Sequence, residues 1–264
     1  MANAKLLRSG IVTSGATFAS RILGMVRDMV IASVLGAGLS ADVFFLANRI
    51  PNFFRRLFAE GAFAQAFVPI MTETRTRGSH DDLKDLISKC AGTLGGIVLI
   101  ITLAGMLLSP VLTALFGWGW FQAALNGDSD GIKYYAASDL LRITFPYLFF
   151  ITMTALCSSI LNVFGKFGIP AMTPCILNLT LIGAVLLFGQ KFEDPNKILA
   201  YGMVAGGILQ LLFQLPFIMK LKLLVKPRFS FKHPGVTKIR TLMIPAILGV
   251  SASQLNLFIS TLLA

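Results

Sequence analysis

Between residues 20 and 61 the chain reads SRILGMVRDMVIASVLGAGLSADVFFLANRIPNFFRRLFAEG, with Arg21, Arg27, Arg49, Arg55 and Arg56 standing beside Asp28, Asp42 and Glu60. The residues around them suit hydrocarbon. An arginine near the centre of a membrane helix costs ~3 kcal/mol on insertion scales, so three of them forfeit roughly 9 kcal/mol unless they face a partner, a ligand or water. Guanidinium is planar, stays charged at any working pH and grips phosphate through two parallel hydrogen bonds. The chemistry expected is anion binding, in a cationic, water-accessible cavity within a helical bundle that holds the anionic group of a transported molecule.

Helical geometry sorts these residues. At about 100° per residue, Asp42, Arg49, Asn52, Arg56 and Glu60 fall near one stripe, with Arg56 and Glu60 four apart, so they can neutralise one another. Arg55 projects about 100° away from Arg56. Arg21 and Asp28 share a face of the preceding helix, while Arg27 sits about 120° from Arg21. Snorkelling or interhelical ion pairing accounts for Arg49 and Arg56 better than for Arg21, Arg27 and Arg55, where positive charge exceeds nearby negative charge. Excess buried cation calls for an anion.

The elements that carry these residues are membrane spans. Of the 264 residues 55% are hydrophobic and 13% charged, and the mean hydropathy is +0.77; a soluble chain carries about 25% charged residues. Apolar runs of ~18 residues or more recur throughout, which predicts an all-α integral membrane protein and argues against a barrel of short alternating strands. Seven spans are expected, near 9–35, 41–71, 88–115, 132–164, 170–188, 197–219 and 241–264. Gly36-Ala37-Gly38 ends the first, and Pro51 predicts a kink in the second beside Arg49, Asn52 and Arg55. Gly92 with Gly96, and Gly202 with Gly206, are spaced for close helix approach. The segment 117–131 reads as a loop in which Trp118 and Trp120 suit the membrane interface.

Lys and Arg collect in alternate connections, including Arg75, Arg77, Lys84, Lys166, Lys226, Arg228 and Lys238, while the opposite side has Lys133, Lys191 and Lys197. The positive-inside rule then places the N-terminus in the cytoplasm and the end of the seventh span outside. Residues 1–220 are expected to form one lobe, 221–240 a basic cytoplasmic connection and 241–264 the first helix of a second lobe. The basic start resembles a signal peptide, but Arg21, Arg27 and Asp28 interrupt its apolar core, which indicates a retained helix. The last span is still apolar at Ala264, and Ala252-Ser253-Gln254 echoes Ala19-Ser20-Arg21, both of which point to a truncated second half.

Other chemistries find little support. The net charge of +11 follows topology rather than any nucleic-acid-binding motif. Cys90, Cys157 and Cys175 lack paired spacing and read as apolar packers, without disulfide or metal site. No phosphate-binding glycine loop or catalytic triad is present, and no cofactor is implied, so the reading is of a non-enzyme. Asp81, Asp82 and Asp85 read as helix-start residues, Arg142 and Asp139 as a local pair, and His80 and His233 as solvated loop residues. Phe229 and Phe231 among basic residues suit contact with anionic membrane lipids, as orientation alone also would.

The runs SRILGMVRD, LGAGLSADVFF and RIPNFFRRLFAEGAFAQAFVPI closely resemble the opening of the MurJ (MviN) family of lipid II flippases, in the multidrug/oligosaccharidyl-lipid/polysaccharide exporter superfamily. LRITFPYLFF, ILNVFGKFGIPAMTP and IPAILGVSASQ extend the likeness over the chain. The resemblance implies a six-helix N-terminal lobe plus a seventh helix of a fourteen-helix transporter in the bacterial inner membrane. That transporter moves the undecaprenyl-pyrophosphate-linked precursor of peptidoglycan (lipid II) to the periplasmic leaflet. It further implies that Arg21, Arg27 and Arg55 bind the pyrophosphate, with Ser20 and Asn52 as cavity neighbours and Asp42 and Glu60 in gating or charge pairing, a part to which helix position also assigns Asp28, Arg49 and Arg56. The missing C-terminal lobe would be required for activity. Two rival readings stay open: a transporter of another polyprenyl-diphosphate-linked glycan, and a non-transporting membrane scaffold of cell-wall synthesis.

Overall fold

The structure, a computed structural model, describes the backbone of residues 2–36, 38–55, 62–189 and 194–263, and the side chains of 10–36, 38–55, 63–189 and 194–249. Helices occupy nearly all of it: α1 (Ala2–Leu35), α2 (Leu39–Arg55), α3 (Ala62–Arg77), α4 (His80–Leu107), α5 (Ser109–Phe116), α6 (Trp118–Asn126), α7 (Gly131–Thr144), α8 (Tyr147–Val163), α9 (Gly168–Phe188), α10 (Pro195–Lys220) and α11 (Pro234–Leu263). There is no strand among the described residues. By length and composition α4, α9, α10 and the stretch Gly131–Val163 can each cross a membrane. The chain is an all-helical integral membrane protein, as expected, and four of the expected spans stand out by length and composition among the described residues.

Local sequence explains the boundaries. α1 stops at Leu35 because Gly36 takes a left-handed φ of +63°, a conformation that glycine alone adopts without penalty. α2 runs through the buried Pro51 to Arg55; Arg56 and Glu60 lie outside the described residues, as does any bend between α2 and α3. α4 begins well before the expected residue 88 because Ser79 and Asp82 form a reciprocal capping box, which makes the charged 80–87 stretch helical. The third span is divided at Leu108, with Pro110 in the first turn of α5, and the fourth at Phe145 and Pro146; a first helical turn is where proline's missing N–H costs least.

The segment expected as a loop at 117–131 contains a short helix, α6, none of whose residues is buried. α11 starts ahead of residue 241 because His233 caps it, its Nδ1 accepting from the Gly235 amide at 3.2 Å, with Pro234 as the first helical residue. His233 Nε2 also approaches Asp85 Oδ2 at 3.2 Å, so His233 ties α4 to α11 and is no solvated loop residue.

The small residues of α10 act as the spacing predicts. A methyl on Gly206 would lie 2.6 Å from Leu177, and on Gly202 2.9 Å from Ala184, both on α9; on Gly207 it would meet Tyr147 of α8 at 2.8 Å. α10 is therefore clasped between α8 and α9. Gly92 and Gly96 behave differently: they admit the extended backbone at Arg228 and the ring of Phe229, not another helix. Hydrogen bonds from Arg228 N to Ser88 O at 2.9 Å and from Ser88 Oγ to Lys226 O at 2.7 Å hold this basic extended segment along α4. Large apolar side chains such as Phe18, Met25, Leu103, Leu186 and Leu187 point outward, as a lipid-facing surface requires.

Candidate functional site

α1 rests mainly on α9, whereas α2 packs on α7 and α8, so the first two helices barely touch. Between them opens a cavity of about 1380 Å³. Its walls carry Ser20, Arg21, Arg27 and Asp28 from α1 and Arg49, Asn52 and Arg55 from α2. The charged lining is thus four guanidinium groups and one carboxylate among the described residues. Of the residues picked from sequence, these seven are brought together; Asp42 is not, and Arg56 and Glu60 lie outside the described residues.

Arg27 is held from two sides. Its Nε and Nη2 donate to Asp28 Oδ1 at 3.0 and 2.7 Å, and its Nη1 donates to Asn178 Oδ1 at 2.8 Å. This corrects the expectation that Asp28 would serve the face of Arg21: the Arg27 stem is long and flexible enough to fold onto its own neighbour. Arg21 makes no ion pair among the described residues. Arg55 donates from Nε to Asn52 Oδ1 at 3.0 Å, and Asn52 in turn donates to the Asn48 carbonyl at 2.9 Å and to Asn48 Oδ1 at 3.0 Å. Arg49, exposed, faces the same hollow.

Asp42 departs from the stripe expected of it. In the first turn of α2 it accepts from Lys133 Nζ at 3.2 Å, and Lys133 also reaches Asp130 at 3.3 Å and lies 5.7 Å from the Trp120 ring centre. The α2–α7 packing sets this partner, since it brings the starts of both helices together. Elsewhere, Arg75 donates to the Val163 carbonyl and lies 4.3 Å from the Phe164 ring centre, where its charge complements the end of α8. Arg142 and Asp139 form the expected pair at 4.0 Å.

Sequence reasoning missed the third wall. Asn178, 4% exposed, accepts from Arg27 and donates from Nδ2 to the Ser20 carbonyl at 3.1 Å, pinning α9 to α1 at the site. An asparagine within an apolar span was the available signal, because such a residue needs a hydrogen-bond partner across helices.

Helices long and apolar enough to cross a membrane, set around a large cationic hollow, define a transporter-type lobe. The chain belongs to the lipid II flippase MurJ family: the family model of that description matches residues 31–264. A probable lipid II flippase MurJ of Vibrio cholerae is 54% identical over 98% of this chain and 50% of its own. One from Haemophilus influenzae is 51% identical over 94% and 49%, and the lipid II flippase MurJ of Burkholderia cenocepacia is 37% identical over 98% and 50%. A solved structure of a lipid II flippase MurJ in an inward closed conformation superposes with a TM-score of 0.73 at 30% identity, over 94% of this chain and 49% of that one. The chain spans about half the length of the curated relatives it matches.

Proposed function

We propose that these residues form the N-terminal lobe of a flippase that carries lipid II from the cytoplasmic to the periplasmic leaflet of the bacterial inner membrane. The observation that carries the reading is the gathering of Arg21, Arg27, Arg49 and Arg55 on one cavity, four guanidinium groups with one carboxylate among the described residues, a lining suited to a pyrophosphate. Arg27 and Arg55 grip it in this reading, with Arg21, Ser20 and Asn52 alongside. Asp28, Asp42, Arg49, Arg56 and Glu60 take the gating or charge-pairing part. Alternating access needs two bodies that rock about one site, and the relatives are about twice this length, so transport is assigned to a two-lobed molecule. Residues 1–220 supply one lobe, 221–240 the basic connection and 241–264 the start of the other. The N-terminus faces the cytoplasm, consistent with the Lys and Arg distribution.

The test is growth rescue of a flippase-depleted strain by the full-length protein. Arg55→Ala is expected to abolish rescue, while Arg55→Lys, which keeps the charge but not the fork, restores only part of it. Normal rescue by Arg55→Ala overturns the reading. Measuring which lipid-linked precursors reach the outer leaflet separates lipid II from other polyprenyl-diphosphate glycans, and rescue by a cavity stripped of all its charges would indicate a scaffold.

A further inference from the structure

α8 reads YLFFITMTALCSSILNV, and in this apolar helix Thr154, Ser158 and Asn162 recur every four residues, on one face, lining the cavity. Thr173 of α9 and Gln210 of α10 continue that lining. The wall is uncharged. Part of it is internally bonded: Gln214 Nε2 donates to Ser158 Oγ and to Thr173 Oγ1, both at 2.8 Å, and Gln210 Nε2 donates to the Thr173 carbonyl at 3.0 Å. Two groups are left over. Gln210 is 2% exposed, yet its Oε1 accepts no hydrogen bond from any described residue. The half-buried Asn162 amide side chain likewise forms none with the described residues.

A buried acceptor without a donor costs about 1–3 kcal/mol, and at a cavity wall it marks where a donor on a ligand is missed. Phosphate oxygens only accept, so the pyrophosphate does not fit this wall. Hydroxyl and amide groups fit it, because they donate and accept and need no counter-charge. The wall also lies at the right remove from the arginines: Thr173 and Asn178 are five residues apart on α9, a rise of about 7.5 Å, on the side of the α8–α9 connection. We infer that Ser158, Asn162, Thr173 and Gln210 form a subsite for the hydroxyl and N-acyl groups of the sugar attached to the pyrophosphate. The inference rests on the pyrophosphate reading above and adds the part of the cargo that this wall recognises.

Binding to the purified full-length protein tests it with two probes, undecaprenyl pyrophosphate and the same lipid bearing the disaccharide. Gln210→Leu and, separately, Asn162→Ala are expected to weaken the disaccharide-bearing lipid about tenfold, the loss of one or two hydrogen bonds to uncharged groups, and to leave the bare pyrophosphate lipid unchanged. Asn162→Ala removes no side-chain hydrogen bond among the described residues, so it reports on binding even if Gln210→Leu fails to fold. Equal weakening of both lipids would show a wall that merely props the cavity; no weakening of either would show that sugars do not touch it. Either result overturns the subsite. Arg55→Ala controls for the underlying reading: if bare pyrophosphate binds it as well as the parent, that reading fails first.

Discussion

Arg27 commits three of its five N–H groups to the protein, two to Asp28 and one to Asn178, and presents the rest to the cavity. The Asp28 contact is loose, because that carboxylate is 67% exposed and an ion pair in contact with water contributes only ~0–1 kcal/mol. Asn178 is the firmer restraint, being buried and fixed by the Ser20 carbonyl. Asn178→Leu should therefore leave the guanidinium present but misplaced. Affinity for a pyrophosphate lipid should fall roughly tenfold, in line with a hydrogen bond to a charged group at about 1.5–3 kcal/mol. Titration of the purified protein in nanodiscs reads this directly, and affinity equal to the parent would show that Asn178 serves packing alone. The arginines were legible from sequence because charge in hydrocarbon is conspicuous. Asn178 was not, since nothing local says which of several polar residues in apolar spans turns inward.

Helix α4 meets the α7–α8 break at one point. The Phe145 ring, fully buried, occupies the space where a side chain on Gly105 would be, and Phe145 also packs at a tilt against Phe54 of α2, ring centres 5.8 Å apart. The residue preceding the arginine-bearing end of α2 is thus braced by a glycine some fifty positions away. Gly105→Ala should destabilise the protein by about 1–3 kcal/mol through overpacking. Combining it with Phe145→Leu should cost less than the sum of the two single changes, since neighbours that share a space do not add. Thermal unfolding in detergent measures the cycle, and strict additivity would rule out the wedge. Helix positions followed from the apolar runs, but the breaks at Leu108 and Pro146 did not, because hydropathy averaged over a span is insensitive to one proline. Gly92 shows the same limit: its small size signals a close neighbour, and only packing reveals that the neighbour is the extended backbone at Arg228.

For the whole molecule, the separation of α1 from α2 makes the hollow continuous with its surroundings, and a carrier must expose such a hollow to one side at a time. Asn48 lines it, half-buried, one turn from Asn52. In the full-length protein with its own cysteines replaced, Asn48→Cys should react with a membrane-impermeant maleimide from the cytoplasmic side in the inward state. A pyrophosphate lipid should protect it, and modification should become periplasmic when the carrier turns. Labelling from neither side would contradict a water-filled cavity.

The sequence by itself determined the class of this protein: apolar length sets helices across a bilayer, the energetic cost of arginine in hydrocarbon marks the site, and the Lys and Arg bias gives the expected orientation. These are one-dimensional quantities, carried by each span alone. Tertiary structure decided the partners. It gave Asp42 to Lys133, Asp28 and Asn178 to Arg27, and an uncharged wall on α8, α9 and α10 to the cavity, because each of those contacts depends on which helix faces come together after the spans have formed.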